Sequence, residues 1–204
     1  GPHVRDPAHA FEGELDAQVD IDGLLDKAGS LAWLKPHVAG SSAWTVTLGI
    51  PRTAAQGAMA GRLQLRSNLA GTELDLPEPL RKPRGQALAA GVDLRLPLEE
   101  GEVEVTLGNL LSLRSRTRAT ATGVAVQMGG PRAEAPPAEG LVVGGRATRV
   151  DALDWIGVIV GDRGGDGLPL RRIDVNAAQL RLLGTQFPDA RVLVVPAPRG
   201  TAVL

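Results

Sequence analysis

Aliphatic side chains recur at every second position through most of this chain. That period restricts it to β-sheet with one apolar face. Leu15, Ala17, Val19 and Ile21 alternate with Glu14, Asp16, Gln18 and Asp20. Val46, Leu48 and Ile50 alternate with Thr45, Thr47 and Gly49, and Leu63 and Leu65 with Arg62, Gln64 and Arg66. The same holds for Leu74 and Leu76 against Glu73 and Asp75, and for Val92, Leu94 and Leu96 against Asp93 and Arg95. Val103, Val105 and Leu107 oppose Glu102, Glu104 and Thr106, while Val124, Val126 and Met128 oppose Gly123, Ala125 and Gln127. Ile173 and Val175 oppose Asp174 and Asn176, and Leu180 and Leu182 oppose Arg181. Turn formers separate the runs: Asn68, Gly71, Gly85, Gly101, Gly108-Asn109 and Gly129-Gly130-Pro131. The pattern predicts a mainly β fold, an antiparallel meander with one wet face.

Two stretches change to helical spacing. Leu24, Leu25, Ala28, Leu31 and Leu34 form one stripe, with Asp22 placed to cap it and Pro36 to end it. The second runs from about Asp151 to Val160, with Asp151 and Asp154 at its start and Gly161 at its end. The segment Pro131–Glu139 reads as a flexible connector, and Gly161–Gly167 as a second one.

Two short helices cannot dry such a sheet. About ten strands at roughly 4.8 Å spacing span roughly 50 Å, whereas a helix covers a band about 10–12 Å wide. Water against bare aliphatic surface costs about 25 cal/mol per Å². Three arrangements satisfy the pattern: a closed barrel, a two-sheet sandwich, or a curved groove filled by an apolar ligand. A membrane-spanning barrel lacks support, because the chain has no Tyr and only 2% aromatic residues to form girdles.

The same composition narrows the function. A formal net charge of −1 gives no electrostatic footprint for nucleic acid. With no Cys there are no disulfides, thiol nucleophiles or Cys-based zinc sites. His3, His9 and His37 lack metal-ligand spacing and read as surface residues. Asp162 and Asp166 read as turn residues, lacking the alternating oxygen ligands and distal Glu of a calcium loop. Ser30, Ser41 and Ser42 lie in no nucleophile elbow, and Gly164-Gly165-Asp166-Gly167 is followed by no Lys-Ser/Thr of a phosphate loop. No catalytic constellation, cofactor or metal site is expected. Trp33, Trp44 and Trp155 read as packing anchors. Arg114, Arg116 and Arg118 would share one face, either simply solvated or forming a stripe for anionic head groups.

One segment carries more information than its period. Ser67-Asn68-Leu69-Ala70-Gly71-Thr72-Glu73-Leu74-Asp75-Leu76-Pro77-Glu78-Pro79-Leu80-Arg81-Lys82-Pro83 resembles the S-(D/N)-L-x-G-x-x-(I/L)-x-L-P-x-P-L-x-K-P stretch of the YhdP group of AsmA-like proteins. Trp44 after Gly40-Ser41-Ser42, Gly140–Gly145 ahead of Asp151 to Trp155, and Ala178–Gly184 ending in Leu-Leu-Gly agree with that resemblance. It spans about Trp44 to Gly184.

The resemblance implies a repeating β-groove: a bridge-like lipid-transfer protein, anchored in the inner membrane of Gram-negative bacteria and extending through the periplasm toward the outer membrane. Its partners would be phospholipid acyl chains, and both membranes through parts of the protein not present in this chain. On this reading residues 1–3 are an expression scar and 4–42 a strand plus helical crossing. Residues 43–149 are a groove section, 150–167 a helix-and-loop crossing, and 168–204 the start of a further section. Because Thr201–Leu204 still reads as strand, the chain is expected to be a piece of a longer protein. The expected groove lining is Leu15, Val19, Val46, Leu48, Leu63, Leu65, Leu74, Leu76, Val92, Leu94, Leu96, Val103, Val105, Leu107, Val124, Val126, Ile173, Val175, Leu180 and Leu182. The rival expectation is a non-catalytic β-sandwich, a scaffold or protein-interaction module of the cell envelope.

Overall fold

The computed structural model describes residues 9–20, 23, 34–51, 61–96, 102–130, 132–161, 168–197 and 200–203. Within them the alternating runs become strands: β1 (His9–Asp20), β2 (Val38–Pro51), β3 (Gly61–Ser67), β4 (Thr72–Leu74), β5 (Ala90–Leu96) and β6 (Glu102–Leu107). Beyond them come β7 (Leu111–Arg118), β8 (Ala121–Met128), β9 (Gly140–Asp151), β10 (Leu170–Leu182), β11 (Thr185–Ala197) and β12 (Gly200–Val203). A helix, α1 (Ala152–Gly161), lies between β9 and β10. The sheet is open and curved, with strand order β1-β2-β3-β5-β6-β7-β8-β9-β10-β11-β12. It closes neither into a barrel nor against a second sheet, so β1 and β12 both lie at edges among the described strands. The sandwich expectation is therefore corrected. Of the two expected helices, the second forms, whereas Leu24, Leu25, Ala28 and Leu31 lie outside the described residues, as do Trp33 and residues 162–167.

Pairing is mostly antiparallel, but β8–β9 and β9–β10 are parallel. A parallel neighbour requires the chain to travel back along a strand before pairing again. Residues 132–139 make that journey packed against the sheet rather than loose in solvent, contrary to the flexible connector expected there. Ala133 is only 3% exposed and Pro136 is buried. The Arg114 guanidinium donates to the Ala133 carbonyl at 3.4 Å, and that of Arg116 to the Pro136 carbonyl at 3.5 Å. Gly123 of β8 makes room for the crossing, since a Cβ there would sit 1.7 Å from the Pro137 carbonyl oxygen. Register places Arg114, Arg116 and Gly123 on the polar face. The crossing thus lies on the side away from the aliphatic residues.

The 67–83 segment folds as a cap at one end of the strands. The first residues of β2 leave β3 and pair with β4 instead, Val38 opposite Leu74 and Gly40 opposite Thr72. Gly40 allows the turn with φ of 94°, and a Cβ on it would meet the Gly71 carbonyl oxygen at 2.4 Å. Ser42 Oγ accepts from the Gly71 amide at 3.1 Å and shares a hydrogen bond with Thr72 Oγ1 at 2.8 Å. Asn68 Oδ1 accepts from the Ala70 amide at 3.0 Å, the local side-chain bond expected of Asn in a turn. Leu69 then packs against Trp44, Leu65 and Ala90, forming a buried hydrophobic cluster.

If the crossing is packed as described, Gly123→Val must push the backbone at Pro137 off the sheet. Urea unfolding should show a loss of at least about 1–3 kcal/mol, the usual range for forced overpacking. A variant as stable as the parent would mean that the crossing stands clear of β8.

Candidate functional site: an open apolar face

Cross-strand register sorts the expected lining residues into two groups. Leu15, Val46, Leu65, Val92, Val105, Leu113, Val126, Val143, Ile173 and Val194 pair in succession from β1 to β11. Paired residues share a face, so these positions form one aliphatic row with no polar residue in it. Nine steps of about 4.8 Å make it about 43 Å long. Shorter rows flank it. Leu48, Leu63, Leu94 and Val103 continue on one side until Ser115, with Leu96 beyond. On the other lie Trp44, Ser67, Ala90, Leu107, Leu111 and Met128, then Gly145 and Val175. Val19 and Val124 share this face as well. Sixteen of the twenty expected positions thus fall on it.

Four do not. Leu74 and Leu76 are buried, 7% and 4% exposed, within the cap. They follow the alternation of β4, which pairs only with the turned-away start of β2. Leu180 and Leu182 share one uninterrupted strand with Ile173 and Val175, so an odd separation puts them on the opposite face. Leu180 faces Val150 on β9 and Phe187 on β11, and α1 packs against β10. These two leucines therefore lie on the face opposite the aliphatic row. In the other direction, the expectation omitted Leu113, Val143 and Val194, whose apolar runs are short or continue on both faces. Only register identifies them.

Burial across the apolar face is graded. Trp44, Leu65 and Met128 are buried, at 4%, 8% and 7% exposed, whereas most of the row is half-buried and Leu15 on the edge strand is 64% exposed. The cap accounts for the buried end, forming a wall along one side of the apolar surface. Lys82 holds that wall together. Only 3% exposed, its ammonium donates to the Thr72 carbonyl and, at 3.2 Å, to the Pro83 carbonyl. Burial lowers its pKa, and the charge of Glu73 partly restores it. The Trp155 indole of α1 donates to the Glu78 carbonyl at 3.0 Å, tying the helix to the cap. Trp44 is a packing anchor, buried in the cluster with Leu65, Leu69 and Ala90.

The opposite face is wet and charge-paired. Desolvation pushes the Asp93 carboxyl up, but bonds from Gln64 at 2.7 Å and from Arg66 and Arg62 at 2.9 Å outweigh it and hold its pKa below 3.8. Arg132 binds Glu104 through two bonds of 3.0 and 2.9 Å, and Arg114 binds Glu102. Of the three arginines on this face, Arg114 and Arg116 bond carbonyls of the crossing, and Arg118 is exposed. Among the described residues no group of three or more His, Cys, Asp or Glu could hold a metal ion. Nor is any helix among them long and apolar enough to cross a membrane.

An open sheet with a walled apolar face on one side and a charge-paired face carrying the β8–β9 crossing on the other defines a β-groove protein. The family model described as YhdP protein matches residues 5–203, and the chain belongs to that family. No curated protein and no solved structure matches it.

Two outcomes follow. Lys82→Met leaves two carbonyls in the cap without their donor and should cost about 1–3 kcal/mol in urea unfolding. An unchanged midpoint would remove Lys82 from the wall. Because the folded-state pKa of Asp93 is depressed, its stabilisation is complete above pH 3.8 and is lost as pH falls through the lower folded value. Asp93→Asn should therefore lose under about 1 kcal/mol at pH 7, its arginine partners being exposed. It should also soften the acid limb of a stability profile, and identical limbs would contradict the pairing.

Proposed function

We propose that this chain is a section of a lipid-carrying groove, holding phospholipid acyl tails on its apolar face while the head groups remain in water. The observation that carries this reading is the unbroken aliphatic row from Leu15 to Val194. Most of it is half-buried rather than buried, and aliphatic surface left to water costs about 25 cal/mol per Å². An acyl tail of roughly 15 Å matches such a surface and gains about 0.8 kcal/mol per buried CH₂. Saturated hydrocarbon forms no directional bond with Leu, Val or Ile, so neighbouring positions bind it about equally. A tail can then shift along the row without breaking a specific contact.

Family membership supports a place in the cell envelope. On this reading the groove lies in the periplasm of a Gram-negative cell, in a protein anchored in the inner membrane. It carries phospholipid between inner and outer membranes passively and without catalysis, contributing to outer-membrane biogenesis.

Native mass spectrometry of the chain, with lipid extraction from the same preparation, tests the reading. Phospholipid should be found on the parent. Val105→Asp, which puts a carboxylate into the middle of the row, should lower bound lipid by at least about tenfold. Thr148→Asp, on the polar face, should leave it unchanged. Equal lipid on the Val105 variant and the parent, or a lipid-free parent at full stability, would overturn the groove in favour of a scaffold.

A further inference from the structure

The polar face holds a cleft of about 560 Å³ that the lipid-groove reading does not use. It lies beside the crossing, bounded by Gly129, Gly130 and Glu134, and extends over β9 to β11. Gly144 is on its floor. A Cβ there would meet only Gln127 Oε1 at 3.6 Å and the Asp174 carbonyl oxygen at 3.8 Å, so glycine leaves open depth and no packing demands it.

Register fixes what surrounds that floor. Gly144 pairs with Asp174, Arg146 with Asn176, and Arg172 with Val142, all on the polar face. Arg146 and Arg172 therefore stand on opposite sides of the Gly144–Asp174 pair, about 13 Å apart along the strands. Asp174 is already engaged: Arg191 binds both its oxygens at 2.7 Å. The Arg191 hydrogen bonds chiefly, opposed by desolvation and aided by the charges of Arg191 and Arg172, hold its pKa below 3.8. With Asp174 matched to Arg191, the charges left on the lining are Arg146 and Arg172 against Glu134, a net of +1. Neither arginine makes an ion pair among the described residues. Asn176 and Gln127 add neutral amide donors and acceptors between them.

We propose that this cleft is a binding site for a phosphate-bearing polar ligand, its oxyanion taken by Arg146 and Arg172 over the Gly144 floor and its hydroxyl-rich body by Asn176 and Gln127. Guanidinium matches phosphate through paired N–H donors, and an open glycine floor admits a ligand that a side chain would exclude. The site is on the far side of the sheet from the aliphatic row, so a lipid lying in the groove cannot supply the phosphate. The ligand is a soluble phosphate ester such as a sugar phosphate or glycerol phosphate. This site stands independently of lipid carriage.

Amide chemical-shift titration of the whole chain at low salt tests it, with inorganic phosphate, glycerol 3-phosphate and phosphatidylglycerol vesicles as separate probes. Glycerol 3-phosphate should shift amides around Gly144 and Asn176 and bind more tightly than inorganic phosphate. The double variant R146A/R172A should weaken it by at least about tenfold. Gly144→Val should do the same with the fold intact, because its side chain enters only the cleft. Arg149→Ala, a substitution outside the cleft, should change nothing. Binding to vesicles alone, no shift with glycerol 3-phosphate, or equal affinity in the parent and both cleft variants would each overturn the proposal.

Discussion

The crossing from β8 to β9 is constrained by the need to leave the aliphatic face of the sheet free. A meander of hairpins meets that need without effort, because hairpin turns stay at the strand ends. The parallel pairs do not, since they oblige the chain to cross a face. The crossing from β8 to β9 uses the polar face, where guanidinium groups can bond its carbonyls and Gly123 admits its backbone. Had it crossed the other face, it would have covered the aliphatic row and left peptide groups against hydrocarbon without partners. The placement of arginine and glycine on β7 and β8 follows from this choice of side.

The cap answers a different need. An open apolar surface with no boundary has nothing to define where it stops. The segment around Leu69 supplies an edge, walling one side of the curved apolar surface. Its rigidity comes from polar groups as much as from leucines. Ser42, Thr72 and Lys82 are all nearly inaccessible, and each has its partner within the cap or on β2. That accounts for a motif so rich in Pro, Gly and small polar residues: it specifies a shape, and its leucines lock that shape from beneath.

How much of this could be read from sequence depends on the range over which each feature is decided. The period of two is local, so the strands and most of the lining were legible from residues such as Leu63-Gln64-Leu65 alone. The α1 helix was equally legible from its acidic start and glycine end. Parallel pairing is not local, because β8 and β9 look the same in sequence whether or not the chain doubles back between them. For that reason the segment ending at Glu139 has the composition of a loose linker, although Arg114 and Arg116, 19 and 20 residues before the carbonyls they bind, hold it to the sheet. Leu180 and Leu182 show the same limit. Two short apolar runs on one strand read as one face each, and only the unbroken register of β10 with β11 reveals that the apolar side changes partway along.

The bond from the Trp155 indole to the Glu78 carbonyl has a mechanical consequence. The cap hangs from β2 to β5 and the helix from β9 and β10, so the two meet across the ends of the strands between them. A curved sheet held at two such points is an arc with a fixed chord. Flattening or tightening the arc would stretch or break that 3.0 Å bond, at a cost of about 1 kcal/mol. The Trp155 bond thus couples the curvature of the sheet to the contact between helix and cap.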